Sequence, residues 1–262
     1  MNTNLTEKNA IVCGSTQGIG KAVAVELALL GANVILMARN EKSLNVVLGE
    51  LDRSKGQNHQ YLCADFSKPE VVKTKISTFI KNNPPVHILI NNTGGPPAGA
   101  IAEAETDTFE KTFSQHLICN HILTQAVLPG MKKDIYGRIV NIISTSVKQP
   151  LRNLGVSNSV RAAVANWAKT LSMEVAPFGI TVNNVLPGAT LTGRLDSIIG
   201  NRSKQTGRSI EDIRNELIAE IPAGRFGDPM EIAYAVGFLA SPAAAYINGI
   251  NVPVDGGRTG SL

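Results

Sequence analysis

Short runs of apolar residues recur along the chain, each followed by a glycine-bearing or polar step and then by a segment with apolar positions at helical spacing. The run at residues 10–13 leads into a helix over 19–30, and runs at 34–38, 59–64 and 86–91 alternate with helical stretches at 41–53 and 70–81. Beyond residue 100, two longer helical segments, 106–131 and 157–176, are each followed by a strand, at 138–143 and 181–186. Val34, Ile35, Leu36 and Met37 show no polar alternation, so that strand needs cover on both faces, as in a parallel sheet. Strands alternating with helices imply right-handed crossovers and predict one α/β domain over residues 1–262, a doubly wound parallel sheet with helices on both faces. Residues 187–209, polar with several Gly and Thr, are the least regular stretch. They read as part of a mobile substrate flap over 188–218.

Composition narrows the class. Hydrophobic residues make up 43% and charged residues 18%, enough for a large core and against global disorder. The 25 basic residues exceed the 21 acidic ones without forming a Lys/Arg block, so no nucleic-acid partner is expected. Cys13, Cys63 and Cys119 make no paired spacing, which favours a reducing compartment and no metal site. Residues 1–8 are polar and no apolar run approaches the ~20 residues a bilayer requires, so the expectation is a cytoplasmic protein without a membrane partner.

The first strand runs into Cys13, Gly14, Ser15, Thr16, Gln17, Gly18, Ile19 and Gly20 and then a helix, a GxxxGxG spacing. Gly14 permits a sharp turn, Gly18 lets a phosphate approach the backbone, and Gly20 lets helix pack closely on strand. A pyrophosphate would sit on the helix N-terminus, where free N–H groups and the dipole favour negative charge. A bare strand-to-helix turn is the other reading of such a run, and its place at the first strand–helix junction favours the phosphate site. The second strand ends in Ala38, Arg39 and Asn40. Dinucleotide folds read the adenosine ribose there, so Arg39 is either the cation that selects NADP(H) over NAD(H) or a solvated surface residue. Asp65, closing the third strand, accepts from an adenine amino group or caps the next turn. Asn91, Thr93 and Gly94 close the fourth strand with small residues where a ribose would lie.

Together these residues resemble the short-chain dehydrogenase/reductase family along nearly the whole chain. Residues 13–20 are similar to its TGxxxGxG motif with Cys13 for the first Thr, and Asn91, Asn92, Thr93 and Gly94 to its NNAG motif with Thr93 for Ala. Asp65, the Pro187-Gly188 turn with Thr190 and Thr192 after it, and Pro253-Val254-Asp255-Gly256-Gly257 also match. The resemblance implies a Rossmann-like sheet of about seven strands. It further implies an NAD(H) or NADP(H) cofactor held by the residues above, a small carbonyl or alcohol substrate, and a homotetramer or homodimer assembled on the two long helices. Many relatives are 3-oxoacyl-carrier-protein reductases.

The family's reaction uses Asn, Ser, Tyr and Lys. Ser144 matches the Ser, but the YxxxK pair falls on Ser157 and Arg161 and the Asn on His116. A serine hydroxyl is too short and too weak an acid to replace a phenol of pKa ~10. Arg161, one helical turn from Ser157, can donate to ribose hydroxyls and supply a fixed charge but cannot shuttle a proton. His116 titrates near neutrality and is either the replacement acid or a ring that packs a helix. None of Tyr61, Tyr136, Tyr234 and Tyr246 is expected on the cofactor side. Lys148 and Arg152, after Ser144, and Arg194, opening the flap, make either a site for an anionic substrate or carrier phosphate, or a solvated rim. Two functions follow. One is an NADP(H)-dependent oxidoreductase that reduces a carbonyl, or oxidises an alcohol, on a small anionic substrate. The other is a catalytically inactive dinucleotide-binding sensor or oligomer partner; a non-redox lyase or isomerase is a third use of the scaffold.

Overall fold

Each apolar run becomes a strand of one parallel sheet in the computed structural model, which describes residues 1–261. The strands are β1 (Asn9–Cys13), β2 (Asn33–Ala38), β3 (Gln60–Cys63), β4 (Ile88–Asn91), β5 (Gly137–Ile142), β6 (Ile180–Pro187) and β7 (Asn251–Val254), in the order β3-β2-β1-β4-β5-β6-β7. The helices are α1 (Gly18–Leu29), α2 (Glu41–Glu50), α3 (Pro69–Asn82), α4 (Thr106–Phe113), α5 (Cys119–Lys133), α6 (Gly155–Val175), α7 (Gly193–Thr206), α8 (Ile210–Ala219) and α9 (Pro229–Ala240). Side-chain alternation along the strands makes two cores. Val12, Leu36, Ile90 and Val140 pack with Val23 and Leu27 of α1 and Val236 of α9, whereas Ile11, Ile35, Leu89 and Ile139 pack with Ile76 of α3, Leu123 of α5 and Ala168 of α6.

Two segments differ from the sequence reading. The helix expected over 106–131 is broken by a wide π turn at Ser114–Ile118, which carries the buried His116. Residues 187–209 are not irregular: most of them form α7. Thr192 caps it by accepting from the Leu195 N–H, and Gly207, at φ 70°, closes it in the left-handed region. Leu195 and Ile199, one turn apart, bury against Ile213, Ile221 and Phe226. With so few apolar anchors in 14 residues, the helical period was hidden among polar positions.

A row of asparagines crosses the sheet. Asn91 Nδ2 donates to Asn141 Oδ1 (2.9 Å), Asn141 Nδ2 to Asn184 Oδ1 (2.9 Å), and Asn184 Nδ2 to Asn251 Oδ1 (2.8 Å). These are consecutive register partners from β4 to β7. Linking the amides offsets the cost of burying each alone and fixes strand register.

Candidate functional site

The sheet order reverses direction between β1 and β4, and the crevice at their carboxyl ends is where ligands enter open α/β sheets. Gly14 and Gly18 sit at φ 60° and 52°, a region that suits glycine. A Cβ on Gly14 would stand 2.6 Å from the Asn92 carbonyl oxygen. Asn92 Nδ2 in turn donates to the carbonyls of Cys13 (3.2 Å) and Gly14 (3.4 Å), clamping the loop from β4. Gln17 at the head of α1 makes no side-chain cap, so the first amides and the positive end of the dipole are left to a ligand. Thr16 and Gln17 lie on the outer side of the loop, whereas Ser15 is buried and its Oγ accepts from the Met37 N–H (3.0 Å), tying the loop to β2. From the other rim, Thr190 Oγ1 donates to the Gly188 carbonyl (3.0 Å) and Thr192 Oγ1 to the Thr190 carbonyl (3.2 Å). Thr192 covers Gly18 so closely that a Cβ there would lie 3.2 Å from its methyl.

Asn91 turns into the sheet, and Asp65 shows the capping contact that was one of its two sequence readings. Asn91 is 2% exposed and spends its amide on Asn141, inside the sheet; the next residue, Asn92, points the other way and reaches the loop. Asp65 accepts from the Ser67 N–H (3.0 Å), so it caps the turn ahead of α3, and that bond, helped by the Arg39 charge, holds its carboxyl below the usual range. Arg39 itself is exposed at the end of β2.

The candidate catalytic residues lie beyond the ends of β4 and β5. Ser144 Oγ accepts from the Ser146 N–H (3.1 Å), which leaves its own hydrogen to donate outward. Ser157 is partly buried in the first turn of α6. Arg161 Nη1 donates to the Ile142 carbonyl (2.7 Å) and Nη2 to that of Thr93 (3.4 Å). Burial, and the nearby Arg194 charge, push its pKa down to about 10, so it stays charged at pH 7. His116 Nδ1 and Thr93 Oγ1 share a 2.6 Å hydrogen bond, and Nε2 is buried without a partner. Desolvation, then the Arg161 charge, drive its pKa well below the ordinary value against an opposing pull from the Gly94 backbone. A ring whose protonation burial disfavours in this way is a poor source of an imidazolium proton. Arg194 reaches back from α7 to the Pro96 carbonyl (2.6 Å). Lys148 is half-buried and Arg152 exposed beyond the short turn Thr145–Val147. The tyrosines lie elsewhere: Tyr61 donates to Glu41 (2.8 Å), Tyr136 to the Ala240 carbonyl (2.9 Å), and Tyr234 and Tyr246 are exposed. Among the described residues, no group of three or more His, Cys, Asp or Glu is placed to hold a metal, and no helix is long and apolar enough to cross a membrane.

The depressed His116 gives a pH prediction. Below pH ~6.5 the unfolded ring takes up a proton that the folded ring refuses, so stability is present above that pH and falls as pH drops, by at most ~1.4 kcal/mol per pH unit for one group. His59 and His87, also depressed by burial, add the same sign. His116→Asn should narrow the gap in Tm between pH 7.5 and pH 5.5; an unchanged gap would mean that the ring titrates normally.

A doubly wound sheet with a glycine loop at its switch point and a Ser-bearing β5 end defines a nucleotide-binding α/β protein. More narrowly, the chain belongs to the short-chain dehydrogenase/reductase family. The family profile described as Enoyl-(Acyl carrier protein) reductase matches residues 14–259. The 3-oxoacyl-[acyl-carrier-protein] reductase of Vibrio cholerae is 35% identical over 256 residues, 97% of this chain and 98% of that protein. The L-sorbose reductase of Gluconobacter frateurii, solved with NADPH and L-sorbose, superposes with a TM-score of 0.93 at 29% identity, over 100% of both chains. A variant of the actinorhodin polyketide ketoreductase, solved with NADPH, gives 0.90 at 32% identity, over 97% of this chain and 98% of that one.

Proposed function

We propose that the protein is an NADP(H)-dependent oxidoreductase that reduces a carbonyl, or oxidises the matching alcohol, on a small anionic substrate, with Ser157 and Arg161 standing where the family carries Tyr and Lys. The observation that carries this reading is the uncapped start of α1 beneath the Gly14 and Gly18 turns, with Arg39 exposed at the end of β2. The relatives solved with NADPH support it. NADPH, when bound, supplies the hydride. Ser144 donates its free hydrogen to the substrate oxygen, and the fixed charge of Arg161 offsets the negative charge that develops there. The final proton comes from a water held by Ser157, because Ser157 itself is too weak an acid and His116 is neutral. His116 is a positioning residue that fixes Thr93, one of the residues that would hold the cofactor. Helices α7 and α8, within 188–218, close over the substrate.

The substitutions at Ser157 and Arg161 favour a second reading, a dinucleotide sensor without turnover. Titration of intrinsic or NADPH fluorescence, followed by a carbonyl-substrate assay, separates the two. Arg39→Ala should weaken NADPH ~10-fold or more and NADH hardly at all, the loss expected for a charge-assisted hydrogen bond. Equal weakening of both would remove Arg39 from 2′-phosphate recognition, and failure of both nucleotides to bind would end the oxidoreductase reading.

A further inference from the structure

Two guanidinium groups reach the same loop at the crevice, and neither has an acid to balance it. Arg161 is anchored to the carbonyls of Ile142 and Thr93, and Arg194 to that of Pro96, three residues further along the same loop. Gly95, in that loop, lies against Arg194: a Cβ there would be in ordinary contact with Nη2, at 3.6 Å. Neither arginine forms an ion pair with any carboxylate among the described residues. Arg161 commits two of its five N–H donors and Arg194 one, so both keep donors for a ligand. The Arg194 charge adds to burial in lowering the Arg161 pKa. Like charges brought together under partial desolvation are costly to the fold unless an anion joins them. Other arginines in the C-terminal half are balanced: Arg202 and Arg208 pair with Glu216, Arg225 with Glu231, and Arg258 with Glu220.

We propose that Arg161 and Arg194 together form a carboxylate clamp, and that the substrate carries its carboxylate beside the reacting carbon, as a 2-oxo acid or the corresponding 2-hydroxy acid does. The proximity follows from Arg161. It bonds the last carbonyl of β5, two residues before Ser144, so an anion bridging the two arginines lies next to the oxygen that Ser144 addresses. A guanidinium fork matches a planar carboxylate. Lys148 and Arg152 are then not needed to hold the substrate's charge. The inference rests on the oxidoreductase reading for the identity of the reacting carbon, but the clamp itself has a binding test that needs no turnover.

The test is calorimetric titration of the NADPH-loaded protein with oxamate, an unreactive planar anion shaped like a 2-oxo acid, and with oxamide, its uncharged counterpart. Oxamate should bind at least ~10-fold more tightly than oxamide, and Arg194→Gln should cost oxamate ~10-fold or more while leaving oxamide unchanged, as loss of a charged hydrogen bond requires. Arg194→Lys, which keeps the charge and loses the fork, should fall between. Equal affinity for the two ligands, or an oxamate affinity untouched by Arg194→Gln, would overturn the clamp. Binding of oxamate only to the nucleotide-free protein, with inorganic pyrophosphate competing, would also overturn it, because the anion held there would then be the cofactor's own phosphate. Oxamate binding lost in Arg194→Gln, in a protein that fails to bind NADPH at all, would support the clamp and sink only the redox reading.

Discussion

Gly20→Ala should unseat the phosphate loop. A Cβ at that position would lie 2.7 Å from Asn92 Nδ2 and 2.7 Å from the Gly14 carbonyl carbon, and closer still to the Gly14 carbonyl oxygen. These neighbours are backbone, or a side chain already committed to the Cys13 and Gly14 carbonyls, so none can swing away. Either α1 withdraws from β1 or the Gly14 turn opens. Overpacking of this kind costs ~1–3 kcal/mol and sometimes more. In a domain of this size that lowers Tm by ~2–12 °C. The effect on NADPH should be larger, ~100-fold or more, because the amides at the head of α1 lose their alignment with the phosphates. Gly200→Ala is the control. It lies inside α7 with no neighbour within 4 Å of the added methyl, and should raise stability by ~0.5–1 kcal/mol through helix propensity alone. A Gly20→Ala protein that melts and binds NADPH like its parent would show that helix and loop are not in close contact.

That loop was the most legible part of the chain because its demands are local. Glycines at GxxxGxG spacing after an apolar run need only the turn, the close approach and the helix start, all within eight residues. Arg39 was legible for the same reason, since it follows the second apolar run directly. The residue that holds the loop from outside was not: Asn92 acts on Cys13 and Gly14 across 78 or 79 positions of sequence. The motif alone does not say which of Asn91 and Asn92 faces the loop. Strand alternation settles it once β4 is known to end at Asn91, and a one-residue error in that end reverses the assignment.

The catalytic pocket was legible as a set of positions and not as chemistry. Arg161 and His116 reach the ends of β4 and β5 through Ile142 and Thr93, but their states depend on neighbours that no local pattern carries. The histidine is an example. Its sequence neighbours predict one unbroken helix, and the π turn at Ser114–Ile118, which puts the ring against Thr93 and within reach of the Arg161 charge, follows from tertiary packing. Helix α7 shows the opposite failure. Thr192 and Gly207 close its two ends, but the polar composition between them outweighed two buried apolar residues.

The second large effect expected is at Arg161. Arg161→Met should remove nearly all NADPH oxidation supported by a 2-oxo acid, by ~1000-fold, while the fold remains standing. Loss of one preorganised charge at a developing oxyanion accounts for a decrease of that order. Stability is governed by different quantities. The guanidinium is a desolvated cation with no carboxylate partner, so deleting it relieves a burial penalty. Against that, the Ile142 and Thr93 carbonyls lose donors, which costs ~1–3 kcal/mol for a buried group left unsatisfied. The methionine fills most of the vacated volume, and relief of repulsion at Arg194 works in the same direction as relief of burial. The two sides nearly cancel, so Tm should move by no more than ~3 °C. Arg161→Lys should retain part of the rate, since a point charge remains, although a single ammonium cannot span both carbonyls as the fork does. A fall in Tm beyond ~10 °C with turnover per folded molecule unchanged would identify Arg161 as a peg joining α6 to β4 and β5, with no part in charge stabilisation. Lost turnover at an unchanged Tm is the signature of a cation that the fold maintains, at some cost to its own stability, for the reacting substrate.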